Sequence, residues 1–392
     1  MRKLGPFPSC ARACGWLPAK IRVVDIDRST PGCGAARDGR WPAGLRRWGG
    51  AIAAACLLQA PGAASAQGAP VQHLRIVGGL AAVNQYTRHE EPFWTRDLAR
   101  LSNGRATAEI VPFDGAGIRG QEVLRLVQLG VVPFGTSILN LSAVEDAELG
   151  MLDLAGLNPD MTALRRTVAA YRPQLKKTLR DRYGIELLAI YAYPAQVTFC
   201  SKSLKSLADL AGRRIRTSSA TQADWVTALG ATPVPLPFAD VVANMRNGNI
   251  DCAITGAMSG NALGLHEAAG WLQTTPVNWG LAAFVANGSA WEALSPDLQQ
   301  LLQRELPRLE QAIWADAETE TRNGSACNTG APACTSSRKG RMVEVPPSAA
   351  DAARGREILT RNVLPGWLKR CGPQCAATWK QVMGPATGVE LR

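Results

Sequence analysis

Three groups of residues have types and spacings that suggest chemistry: a glycine pattern, ten cysteines, and a run of arginines near the middle of the chain. Gly115-Ala116-Gly117-Ile118-Arg119-Gly120 satisfies GxGxxG, between an expected strand over 106–113 and an expected helix over 121–129. A dinucleotide site needs tight strand-to-helix packing there and an acid about 20 residues further on for the ribose. Pro112 and Phe113 interrupt that strand, and Glu145 and Asp146 lie at no readable strand end. The segment reads as a flexible turn, and no cofactor is expected. No GxSxG is present, and neither Ser218-Ser219 nor Cys371-Gly372-Pro373-Gln374-Cys375 comes with a His and an acid at readable spacing. His73, His89 and His266 stand alone and the cysteines lack short C-x-x-C knuckles, so no metal is expected. Glu90-Glu91, beside Arg88 and His89, reads as a solvated charged helix face rather than a glycosidase pair. Nothing here argues for an enzyme.

Charge and export are linked. Residues 1–66 hold ten Lys and Arg against three Asp, which accounts for +7 of the formal +11. The remaining 326 residues are nearly balanced and lack the basic field that draws a protein to nucleic acid or an anionic membrane. Arg46-Arg47, the apolar run 51–58, Pro61 and Ala64-Ser65-Ala66 form the n-region, h-region and A-x-A site of a secretory signal, with cleavage expected after Ala66. The run is short of the roughly 20 residues a membrane span requires. Cys56 lacks a lipoprotein signal and Arg46-Arg47 lacks twin-arginine flanks. The roughly 45 residues before the n-region exceed an ordinary signal peptide, which points to a start set too far upstream. Beyond the leader remain Cys200, Cys252, Cys327, Cys334, Cys371 and Cys375. An even number in an exported chain implies disulfides, with 15 possible pairings.

The elements that must position these residues alternate between strand and helix, as in α/β domains. Strands are expected over 74–77, 106–113, 131–137, 185–191, 214–217, 251–255 and 281–286. Helices are expected over 91–101, 121–129, 161–183, 222–229 and 239–247. Ser295-Pro296 opens a long helix with Leu298, Leu301, Leu302, Leu306, Leu309 and Ile313 on one stripe, bent at Pro307. Residues 323–341, rich in Gly, Ser, Thr and Asn, read as a loop.

The arginine run is the most specific signal. Asp209-Leu210-Ala211-Gly212-Arg213-Arg214-Ile215-Arg216 feeds a strand. Leu229-Gly230-Ala231-Thr232-Pro233-Val234-Pro235-Leu236-Pro237-Phe238-Ala239-Asp240-Val241 then opens a helix, and Gly248-Asn249-Ile250-Asp251-Cys252 precedes another strand. Together these resemble the solute-binding proteins of TRAP (tripartite ATP-independent periplasmic) transporters, over about residues 74–314 and most specifically over 207–251.

The resemblance implies a two-lobed α/β periplasmic binding protein, type II-like, with strands crossing a hinge and a long helix spanning both lobes. Residues 67–193 and 279–322 would form lobe I, residues 194–278 and 323–392 lobe II, with the hinge near Tyr193-Pro194 and Asn278-Trp279. Arg216 stands where the family's arginine grips a ligand carboxylate, a task suited to a planar guanidinium. Arg213, in the preceding turn, is expected to be solvated. Some members place a second arginine where this chain has Gln196, and an asparagine where it has Thr255. Gln196, Ser219, Thr255 and Trp279 would complete a pocket for a small organic acid, a monocarboxylate or a four-carbon dicarboxylate. The implied pairings are Cys200 with Cys252, Cys327 with Cys334 and Cys371 with Cys375. The implied partners are the TRAP membrane subunits, and the receptor is expected to be a monomer in the periplasm. A secreted hydrolase on an α/β fold and a periplasmic sensor domain are the competing readings.

Overall fold

The computed structural model describes residues 70–336 and 338–391, so the signal sequence and its cleavage site lie outside the described residues. Two sheets organise the chain. The first has the order β2-β1-β3-β10-β4, from β1 (Gln72–Gly78), β2 (Ala106–Pro112), β3 (Phe134–Ile138), β4 (Ile185–Ala192) and β10 (Leu281–Asn287). β1 runs parallel to β2 and β3, whereas β10 is antiparallel to β3 and β4. The second sheet, β11-β9-β5-β8-β6-β7, takes β5 (Gln196–Cys200), β6 (Arg214–Thr217), β7 (Thr232–Pro235), β8 (Cys252–Gly256), β9 (Trp271–Asn278) and β11 (Val343–Val345). Only Tyr193-Pro194-Ala195 separates β4 from β5, and only Trp279-Gly280 separates β9 from β10, so the chain crosses between the sheets at both places. The crossings touch, with Tyr193 N donating to the Gly280 carbonyl at 3.0 Å. Gly280 has φ +79°, a left-handed backbone that favours glycine.

The helices expected from periodicity are present. Met161–Tyr183 has the expected bounds. Asp160 caps its first turn by accepting from Ala163 N, and Gly184 at φ +63° closes its last. Leu164, Val168, Tyr171, Leu175 and Leu179 form its buried stripe. The long helix, Pro296–Thr329, is capped by Ser295 and runs through Pro307. Trp314 Nε1 donates to Ile190 of the first sheet (2.7 Å), while Asn328 Nδ2 donates to Ala257, just after β8 of the second (2.9 Å).

Three expectations need correction. Residues 323–329 are helix, not loop: the last turns of the long helix lie so close to the helix Ala257–Leu263 that a Cβ on Gly324 would overlap the Ala257–Met258 backbone. Glycine there serves close packing rather than a turn. Glu90 is not on a solvated face but is fully buried, accepting from Gly79 N at 2.7 Å and from Thr136 Oγ1. Burial raises its carboxyl to about 7. The C-terminal residues do not all accompany the second sheet: Trp367 Nε1 donates to Ala147 (2.7 Å), and Ala386 O accepts from Arg166 on the Met161–Tyr183 helix (2.7 Å), both on first-sheet elements. Arg370 meanwhile pairs with Asp224 beside the second sheet. The tail therefore straps both lobes, its Trp367 and Trp379 rings packed against one another.

All three cysteine pairs are bonded: Cys200–Cys252, Cys327–Cys334 and Cys371–Cys375. The first joins directly opposed residues of β5 and β8.

Candidate functional site

β6 carries two arginines on one face, and the strand separates their fates. Arg214, at its exposed start, pairs with Asp251 through Nε (3.1 Å) and Nη2 (3.1 Å), which with a backbone bond holds that carboxyl down at about 2. Arg216 lies two residues on, near the C-terminal ends of the parallel strands β6, β7 and β8, and is 4% exposed. Open α/β sheets hold their ligands at such strand ends. Its Nε donates to Leu236 O (3.0 Å) and its Nη1 to Ile254 O (2.9 Å). Among the described residues no carboxylate lies within ion-pairing distance of it. Burial pushes the guanidinium down to about 10, still protonated at neutral pH. A buried cation without a counter-ion is expensive, and an arriving anion would relieve that expense. With Nε and one Nη1 hydrogen committed, the end-on Nη1–Nη2 edge remains for a carboxylate.

Gln196, the first residue of β5, stands opposite Gly256 at the end of the antiparallel β8, and Thr255 is buried one position before that glycine. The Gln196 amide N–H groups are given to Pro194 O and Trp279 O, both at 3.2 Å. This side chain therefore staples one crossing to the other and offers a ligand its carbonyl oxygen. Ser219 caps the helix Ala220–Ala228 by accepting from Gln222 N. Trp279 is 3% exposed and its indole N–H is donated to Asn158 O (2.9 Å), so its polar group is already paired. Arg216, Gln196 and Thr255 thus share one strand-end edge, Ser219 lies on the turn beyond it, and the Trp279 ring is buried at the second crossing. Arg213 is half-buried and bonds the Lys202 carbonyl at 3.1 Å rather than being solvated.

Sequence reading missed Asp153 and Gln222 and named Asn278 only as a hinge position; all three are buried beside the crossings. Only Asp153 left a signal, as a lone acid inside the apolar run Met151-Leu152-Asp153-Leu154. The Gly115–Gly120 pattern, residues 115–120, is a turn, and the short helix after it begins only at Val123. Among the described residues there is no cluster of three or more metal-ligating side chains, and no helix is long and apolar enough to cross a membrane.

The family model for bacterial extracellular solute-binding protein, family 7, matches residues 81–327. The chain belongs to that family. It is the family of TRAP-type solute receptors, which bind rather than transform their solutes. The ectoine-binding periplasmic protein TeaA of Halomonas elongata is 33% identical over 126 residues, 32% of this chain and 37% of that protein. The chain therefore aligns with little more than a third of that curated relative. DctP7 of Bordetella pertussis, an extracytoplasmic solute receptor binding pyroglutamic acid, superposes with a TM-score of 0.68 at 20% identity, covering 81% of this chain and 99% of that one. A TRAP periplasmic solute binding protein from Desulfovibrio salexigens, with bound orotic acid, gives 0.70 at 19% identity over 81% and 99%. These likenesses establish the two-lobed fold of this family 7 receptor.

Proposed function

We propose that this receptor captures a small organic acid by clamping its carboxylate on Arg216 and delivers it to the membrane subunits of a TRAP transporter. The observation that carries the reading is the Arg216 guanidinium: buried at the strand ends, fixed by two backbone carbonyls, and without a carboxylate partner among the described residues. Gln196, Ser219 and Thr255 would line the pocket beside it, with Trp279 backing the hinge. A single unpaired cation at this edge favours a monocarboxylate over a dicarboxylate. The pyroglutamic and orotic acids bound by the two structural relatives are both small carboxylic acids on a polar ring. In this reading residues 70–193 and 279–322 move as one lobe against residues 194–278, and the strap of residues 343–391 limits their separation. Export through the signal cleaved near Ala66 would place a monomeric receptor in the periplasm.

The test is mass spectrometry of the compound released from protein purified out of a periplasmic extract, followed by calorimetry with it, with L-pyroglutamate and with orotate. A co-purified carboxylate supports the proposal. A bound compound with no acidic group would sink it.

A further inference from the structure

Behind the arginine runs a chain of buried hydrogen bonds that capture of a carboxylate does not by itself require. The backbone N–H of Ser218, two residues beyond Arg216, donates to Gln222 Oε1 at 2.7 Å, and the Ser218 hydroxyl reaches the same oxygen at 3.2 Å. The other end of that amide, Nε2, donates to Asn278 Oδ1 at 2.8 Å. Asn278 Nδ2 then donates to Asp153 Oδ2 at 2.7 Å. Asp153 also accepts from the backbone N–H groups of Trp279 (to Oδ1) and Gly280 (to Oδ2), both at 2.8 Å, which are the two residues of one hinge crossing. Gln222, Asn278 and Asp153 are 0, 1 and 3% exposed.

The polarity of this chain is fixed at both ends. A backbone N–H can only donate and a carboxylate can only accept, so neither carboxamide can turn over without breaking two bonds. The ends also belong to different lobes. Ser218 and Gln222 lie beside the second sheet, and Asp153 ends a helical turn, Ala147–Asp153, that packs on Met161–Tyr183 beside the first.

We infer that Gln222, Asn278 and Asp153 are positioning residues, a relay that ties the turn after Arg216 to the hinge so that grip and lobe angle change together. The inference rests on the reading of Arg216 as the ligand clamp, but its decisive measurement needs no ligand. In Asp153→Asn one of the two acceptor oxygens becomes an amide N–H that must face a donor, so at least one of the three bonds is lost and the relay is weakened at its lobe I end while the side chain keeps its shape. Hydrogen–deuterium exchange of the ligand-free protein should then quicken about ten-fold at Trp279 and Gly280 and also at Ser218, three hydrogen bonds away. Coupling is reciprocal, so Gln222→Met should quicken exchange at Trp279 and Gly280 from the opposite end. A purely local structural role would confine each effect to its own neighbourhood. Acceleration limited to residues 278–280 in Asp153→Asn, with Ser218 at the parent rate, overturns the relay. Should that variant fail to fold, Gln222→Met decides alone: unchanged exchange at Trp279 and Gly280 has the same consequence. Calorimetry with L-pyroglutamate adds a second arm, in which both variants should bind about ten-fold more weakly. If the parent does not bind that acid, the binding arm is read with the acid released from the native protein, and the exchange result still stands.

Discussion

Arg216→Ala isolates the clamp. In the bound state the substitution leaves a ligand carboxylate in the cleft without the Nη1–Nη2 edge that would face it. Removing one side of a desolvated charged pair costs about 2 to 5 kcal/mol, or roughly thirty-fold to a few thousand-fold in Kd. In the ligand-free state two effects oppose each other. The carbonyls of Leu236 and Ile254 lose their donors, and a buried, unpaired guanidinium disappears. Each term is on the order of 1 to 3 kcal/mol, so the net change in stability should be small and the melting temperature should stay within a few degrees of the parent. Arg216→Lys keeps the charge but its single ammonium cannot hold both carbonyls and still present a fork, so its affinity should fall between the two. Arg213 is a poor control because it bonds the Lys202 carbonyl; Lys205, exposed on the same lobe, is a better one. Calorimetry with the acid released from the native protein reads all three variants. An Arg216→Ala protein that is folded and binds within three-fold of the parent would refute the clamp.

Three further outcomes follow from the fold. Replacing Cys200 and Cys252 by serine opens a crosslink between residues 52 apart, which should lower stability by about 4 kcal/mol on the chain-entropy account, read as a lower denaturant midpoint. An unchanged midpoint would show that β5 and β8 hold their register without it. Glu90 binds its proton more tightly in the folded chain, at about 7 against 4.5, so its contribution to stability is full below pH 4.5 and is lost as pH rises through 7. Glu90→Gln should flatten the decline in melting temperature between pH 5 and 8, a difference of at most about 3 kcal/mol; identical pH profiles for parent and variant would contradict the burial argument. Small-angle scattering should show compaction when ligand saturates the protein, because hinge closure requires only the two short crossings to change conformation, and an unchanged profile would mean a rigid pocket.

Much of this was legible because local rules dominate where elements are long or their ends carry turn chemistry. The helix Met161–Tyr183 was readable from its 3.6-residue stripe and from Asp160 and Gly184 at its ends. The strand Arg214–Thr217 was readable from the turn before it. β5, β7, β9 and β11 went unread: β7 is the four residues Thr-Pro-Val-Pro, whose prolines are tolerated because it lies at the sheet edge, a property no local window contains. The tail helices were likewise invisible as a strap, since buried Trp367 finds its hydrogen-bond partner, Ala147, 220 residues away. Arg216 could be singled out from sequence because its motif is contiguous. Whether its charge was already neutralised could not, since that depends on the absence of any acid near it in space. Glu90 makes the same point in reverse, for a carboxylate between Arg88, His89 and Glu91 reads as surface until β1, β3 and its own helix close around it. The relay through Gln222, Asn278 and Asp153 joins residues 56 and 125 positions apart. Sequence determined which residue types were available and how the chain is punctuated. Only the two crossings, by bringing residues near 153, 222 and 278 to one place, decided which polar groups are paired and which are left to meet a ligand.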